Sequence, residues 1–229
     1  MRIMLFGDSH LAALRFGLEH VSLPDGTTVE FWGTPGTRFR HISWVDGKIV
    51  PDDKTTETAF ARFSPQGHTQ LDPAEFDAVV FVGARIRPGA ILPDLLNYVA
   101  HPTHHLSTDY LRLVLAEHYL GHSTYKMARE MAEMDVTRVL MHMISLETQG
   151  KKHKSRKYKT ARKASENDLG LMWDLTRQIL KEDGITFVPQ PSETVTEGYY
   201  TKPEYGVEGE DAVHKNAAYG ALALQSILK

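Results

Sequence analysis

The residues with most chemical promise stand at the two ends of the chain. Ser9 follows a short apolar run, residues 3–6, and a Gly7-Asp8 pair, and residues 11–18 then carry apolar side chains at helical spacing. A serine at such a turn lies at the carboxyl end of a strand, where open α/β sheets place their ligands. It also lies near a helix N-terminus, whose free N–H groups favour an oxyanion. A hydroxyl becomes a useful nucleophile only when a base takes its proton. Asp211 and His214, three residues apart on a turn before a final helix, are the best candidates for that work. His214 would accept the Ser9 proton, and Asp211 would hold the imidazole in the useful tautomer. The plain alternative is that Ser9 and His214 merely cap the helices they precede.

These two blocks, Gly7-Asp8-Ser9 after the first strand and Asp211-x-x-His214 before the last helix, resemble those of the SGNH (GDSL-type) hydrolase family. They lie at the termini where that family keeps them. The resemblance implies a Ser9-His214-Asp211 triad and an oxyanion hole that includes the Ser9 N–H and a glycine N–H after the second strand. Gly36 is the choice for that glycine and Gly33 the reserve; the alternative for either is an ordinary turn glycine. The family's third block, Gly-x-Asn-Asp, is met by Gly83, but Arg85 stands for Asn and Ile86 for Asp. Three readings of Arg85 stay open: it supplies the missing donor, the hole is incomplete, or the arginine serves a structural ion pair. Its guanidinium is a permanent cation with five N–H groups. As a donor it would favour an anionic transition state, or a substrate bearing carboxylate or phosphate. Asp8, His10, Arg87, Tyr199 and Tyr200 complete the candidates for substrate contact.

The elements that must position these groups read as alternating strands and helices. Strands are expected at residues 3–6, 27–32, 76–82, 136–141 and 185–188, and helices at 11–18, 91–100, 107–133, 165–181 and 217–228. Gly121 should break or bend the long fourth helical pattern, and Ser107 or Thr108 should cap it. This order predicts a three-layer α/β/α sandwich around a flavodoxin-like, five-stranded parallel sheet, the architecture of the SGNH family. The whole chain, 1–229, reads as one domain. A β-hairpin with an Asp46-Gly47 turn and a polar stretch form an excursion around residues 40–73. Residues 189–209 read as a long loop, a kind of segment that is often functional.

Other motifs are weaker. His101, His104 and His105 lack a carboxylate or cysteine at ligand spacing. Gly121-His122-Ser123-Thr124-Tyr125 lacks the last glycine of a nucleophile elbow. His118 and His122 share a helix face, but Tyr119 stands where a zinc protease needs Glu. A basic run around 150–163, with Lys151, Lys152, Lys154, Arg156, Lys157, Lys159, Arg162 and Lys163, reads as a solvated loop. Its sharper reading is a flap that attracts an anionic substrate or a donor such as coenzyme A.

Composition bounds these readings. The 229 residues are 41% apolar and 24% charged, with a net charge of −3 and no cysteine. Disulfides, thiolate metal sites and a cysteine nucleophile are excluded. The slight negative charge argues against a general nucleic-acid or membrane partner. No leader pattern opens the sequence and no run approaches about 20 apolar residues, so a cytoplasmic protein is expected. The expected function is a serine hydrolase acting on a carboxylic (O-acyl) ester of a small, anionic or carbohydrate-like molecule, needing no cofactor. An O-acyltransferase using the same serine and a weakened, non-catalytic binding module are the rivals.

Overall fold

The computed structural model of the chain describes residues 1–151 and 160–229. Five strands form one parallel sheet: β1 (Arg2–Gly7), β2 (Thr28–Gly33), β5 (Ala78–Gly83), β6 (Arg138–Met143) and β7 (Thr186–Phe187), in the order β2-β1-β5-β6-β7. This is the doubly wound order of flavodoxin-like folds, whose strand order reverses between the first and third sheet strands. Here that switch point falls between β1 and β5, so the loops after Gly7 and Gly83 flank it.

The sheet forms because its three central strands, β1, β5 and β6, are buried on both faces and their side chains alternate between them. Along β1, Met4 and Phe6 face the larger core with Val79 and Phe81 of β5. Ile3 and Leu5 face the smaller one with Val80 and Val82. The larger core is closed by α3 (Leu92–Val99), α4 (Thr108–Leu120), α5 (Ser123–Glu133) and α6 (Glu166–Glu182). The smaller is closed by α1 (Leu11–Gly17) and α7 (Ala217–Ile227). Helix starts follow side-chain chemistry. Ser107 accepts the Tyr110 N–H and Ser165 makes a reciprocal capping box with Asp168. Gly121 separates α4 from α5.

Two segments differ from the sequence-based expectation. The polar stretch after the hairpin β3 (Ile42–Val45) and β4 (Lys48–Pro51) contains a helix, α2 (Lys54–Phe63). Asp53 caps it by accepting the Thr56 N–H at 2.7 Å, and only Thr56, Ala59 and Phe60 are buried. So narrow an apolar stripe gives a weak periodic signal. The presumed loop at 189–209 contains a two-stranded hairpin, β8 (Val195–Thr196) and β9 (Tyr200–Thr201). Its turn places Glu197 and Gly198 both at positive φ, a turn geometry that ordinarily selects Asn or Asp before the glycine. Most of the basic run, residues 152–159, lies outside the described residues.

The helices α1 and α7 join the head of the chain to its tail. A Cβ on Gly220 would lie 1.8 Å from the Ala13 carbonyl oxygen, and one on Gly17 would lie 2.3 Å from the Ala221 nitrogen. Backbone cannot yield to such contacts as a flexible side chain can. Gly220→Ala is therefore expected to destabilise the fold by about 2–3 kcal/mol, read as a lower urea midpoint with an unchanged slope.

Candidate active site

Ser9 sits two residues beyond the switch-point end of β1, in the turn where Leu11 N–H donates to Asp8 O at 3.1 Å and α1 begins. His214 arrives from the turn before α7. The Ser9 Oγ and His214 Nε2 are 2.8 Å apart, across 205 residues of sequence. The His214 Nδ1 lies 2.7 Å from Asp211 Oδ2. The other Asp211 oxygen accepts the backbone N–H groups of Val213 at 2.8 Å and His214 at 3.1 Å. Partial burial raises the Asp211 pKa, but the His214 ring and these N–H groups outweigh it and hold the carboxyl at about 2. Asp211 is thus a carboxylate at ordinary pH. Its bond fixes His214 with a proton on Nδ1 and a free lone pair on Nε2 toward the serine.

The Asp211–His214 turn is held from below. Thr148 N–H donates to Ala212 O at 2.7 Å. Lys215 is buried, and its Nζ donates to Ala212 O at 3.1 Å and Val213 O at 2.8 Å. Desolvation lowers the Lys215 pKa to about 7 against the pull of Asp211 and Glu147. Asn216 caps α7 by accepting the Tyr219 N–H at 3.1 Å, and its amide donates to Glu204 O at 2.7 Å. Sequence reasoning missed Lys215 and Asn216. For Asn216 a signal existed, an Asn directly before an apolar helical run. For Lys215 there was none, since its role depends on burial.

Asp8 and His10 form a second, deeper pair. Asp8 is 3% exposed and His10 8%. Asp8 Oδ1 lies 2.5 Å from His10 Nδ1 and also accepts the His10 N–H at 3.2 Å. Burial raises the Asp8 pKa; the bonds from His10 and the nearby Arg85 charge prevail and lower it. The His10 ring stacks on His214, centroids 5.1 Å apart, so it backs the imidazole that faces Ser9. Gly83 makes room for this pair: a Cβ there would meet Asp8 Oδ1 at 2.8 Å and His10 Cβ at 2.9 Å.

Ser9, His10 and His214 line a cavity of about 630 Å³ with Ala13, Val82 and Tyr219. Arg85 does not line it. Its Nη1 lies 3.9 Å from Asp8 Oδ2, and the side chain borders a second cavity with Phe39, Arg40 and His122. Gly83, Ala84 and Arg85 all have positive φ, 67°, 48° and 62°. For Ala84 and Arg85 that conformation costs roughly 1 kcal/mol or more each, so the loop is held in a form its sequence does not favour. Gly36 opens a 3-10 turn at φ 61° after β2, half-buried, and Phe39 of the same turn packs on Phe6 at 4.9 Å. Gly33 is pressed against β1, where a Cβ would lie 1.8 Å from Gly7 O.

The remaining candidates lie elsewhere. Arg87 is exposed. Tyr199 and Tyr200 are 5% and 3% exposed, belong to the larger core and have hydroxyls 3.1 Å apart; neither lines the Ser9 cavity. Packing accounts for their burial. Among the described residues, no group of three or more His, Asp or Glu side chains could hold a metal ion. No described helix is long and apolar enough to cross a membrane.

No protein-family model matches the chain, and no curated protein matches it. Several solved structures are similar over its whole length. One is a provisionally assigned SGNH hydrolase from Slackia heliotrinireducens, at 14% identity and a TM-score of 0.48, covering 100% of this chain and 97% of that one. Another is a GDSL-like lipase from Bacteroides thetaiotaomicron, at 15% identity and a TM-score of 0.40, covering 99% and 83%. A third, provisionally assigned as a platelet activating factor from Streptococcus pneumonia, has 13% identity and a TM-score of 0.46, covering 99% and 83%.

His142 lines the Ser9 cavity and is buried, with Nδ1 3.1 Å from Val188 O and Nε2 3.2 Å from the Tyr219 hydroxyl. Desolvation lowers its pKa to about 4. Between about pH 6.5 and pH 4 the unfolded chain binds a proton here that the folded chain refuses. Stability should therefore fall as pH falls through that window, by roughly 3 kcal/mol. Urea midpoints measured from pH 7 to pH 4 check this, with His142→Gln expected to flatten the slope.

Proposed function

We propose that the protein is a serine hydrolase of carboxylic esters. The single observation that carries this reading is the hydrogen-bonded series from Ser9 Oγ to His214 Nε2 at 2.8 Å and from His214 Nδ1 to Asp211 at 2.7 Å. Ser9 attacks the acyl carbonyl while His214 takes its proton. The Asp211 carboxylate steadies the imidazolium that forms. Oxygen of the tetrahedral intermediate develops a negative charge at the switch point. The N–H of Ser9 and that of Gly36 are the proposed donors to it, with the Arg85 cation strengthening the local positive field. His214 then protonates the leaving alcohol. A water, activated by His214 in turn, cleaves the acyl-enzyme and frees Ser9. The cavity beside Ser9 and His214, walled by Ala13, Val82 and Tyr219, would hold an uncharged acyl portion.

A fluorophosphonate probe should label Ser9 in the purified protein, and peptide mapping locates the adduct. On short-chain aryl esters, Ser9→Ala should abolish turnover, with circular dichroism unchanged. Asp211→Asn should lower kcat by about a thousand- to ten-thousandfold, because it loses the tautomer control. Ester cleavage that survives Ser9→Ala, or probe labelling at another residue, sinks this reading. If added alcohols divert the acyl group from water, the product ratio will assign a transferase instead.

A further inference from the structure

Beside the Ser9 loop, on the larger-core side of the sheet, lies the second cavity, about 290 Å³, lined by Phe39, Arg40, Arg85 and the residues 121–124. Two guanidiniums and an imidazole, that of His122, converge on it. Among the described residues, only one carboxylate forms an ion pair with them: Asp8, whose near oxygen is 3.9 Å from Arg85 Nη1, beyond hydrogen-bond range. That carboxylate is already engaged by His10 through its other oxygen. Arg40 makes no ion pair among the described residues. The charges repel one another. Burial lowers the Arg85 pKa, Asp8 opposes it, and Arg87 and Arg40 lower it further. Burial also lowers that of His122, with His118 and Arg40 adding to it. The first turn of α5 opens on the same space with no side-chain cap, so its free N–H groups add to the positive field.

We propose that this cavity binds an oxyanion carried by the substrate ester, a carboxylate or a phosphate, with Arg40 and Arg85 as its charge partners and His122 beside them. The placement follows from the fold. Ser9 follows β1, Arg40 follows β2 and Arg85 follows β5, and β1 lies between the other two in the sheet. An ester held with its carbonyl at Ser9 can thus extend its anionic group toward the arginines. Planar guanidiniums suit both carboxylate and phosphate, which they bind through paired N–H groups. The cavity is at the small end of ligand pockets, which run from about 300 Å³ upward, so it fits a single compact anionic group. The ester part of the proposal rests on the hydrolase reading; the anion site does not.

The test separates the two. Ser9→Ala protein is titrated by calorimetry with inorganic phosphate and, separately, with benzoate at low salt. At least one anion should bind, more weakly as salt is added. Adding Arg40→Gln should weaken that binding roughly tenfold or more, because a charge-assisted contact is lost. With active protein, kcat/KM is compared for 4-acetoxybenzoate and its neutral methyl ester. The ratio should favour the anion and fall by a similar factor in Arg40→Gln, with partial recovery in Arg40→Lys. Which of the two anions binds tells carboxylate from phosphate. If neither anion binds, or if Arg40→Gln changes neither the binding nor the ratio, the anion site is refuted. Arg40-dependent binding without any ester cleavage would leave the anion site standing and remove the hydrolase reading.

Discussion

Backbone contact between α1 and α7 is the constraint on which the site depends. Ser9 is fixed by the turn into α1, and His214 by the turn into α7. These helices meet where Gly17 and Gly220 remove the side chains that would keep them apart. A 2.8 Å contact between residues 205 apart in sequence needs both turns to be rigid relative to the sheet. The same helices bury Ala13, Leu14, Ala223 and Leu224 against Ile3, Leu5, Val80 and Val82. The apolar packing that stabilises this face is therefore also what sets the distance from the imidazole to the hydroxyl.

Around that contact the polar groups are arranged in two tiers. The upper tier, Asp211 and His214, is partly open to water, and its carboxylate is bonded by three N–H groups. The lower tier, Asp8 and His10, is buried, and its geometry requires a glycine at position 83. Stacking of His10 on His214 couples the tiers. A buried carboxylate is costly unless bonded and paired. Asp8 meets that condition on one oxygen through His10, and its other oxygen looks toward Arg85. The Arg85 guanidinium is therefore drawn toward the inner face of the loop by charge, without a hydrogen bond to Asp8. The three successive positive-φ residues at 83–85 are the backbone side of the same arrangement.

Much of the architecture was legible in the sequence. Period-2 alternation cannot be read in strands buried on both faces, yet the apolar runs at residues 3–6 and 76–82 were unmistakable by length and by their terminal glycines. A capping residue marked α4, and apolar side chains at helical spacing marked α6. The helix α2 was not legible because only three of its residues are buried. The β8–β9 hairpin was not legible because strands of two residues carry no pattern, and a Glu at positive φ is the opposite of a turn signal. Tyr199 and Tyr200 looked like pocket residues because aromatic side chains in a presumed loop have no visible core; the hairpin supplies one.

For the site, residue types and order along the chain determined the candidates: a serine after a strand, and an Asp-x-x-His pair before the last helix. Local chemistry goes that far, because a turn and its caps are set by near neighbours. Only the tertiary structure decided that the two ends meet, that His10 lies behind His214, and that Arg85 faces a cavity with Arg40 instead of the one lined by Ser9. Those relations depend on sheet order and on helix-to-helix distance. Both are sums of many long-range contacts, and no short stretch of sequence encodes either.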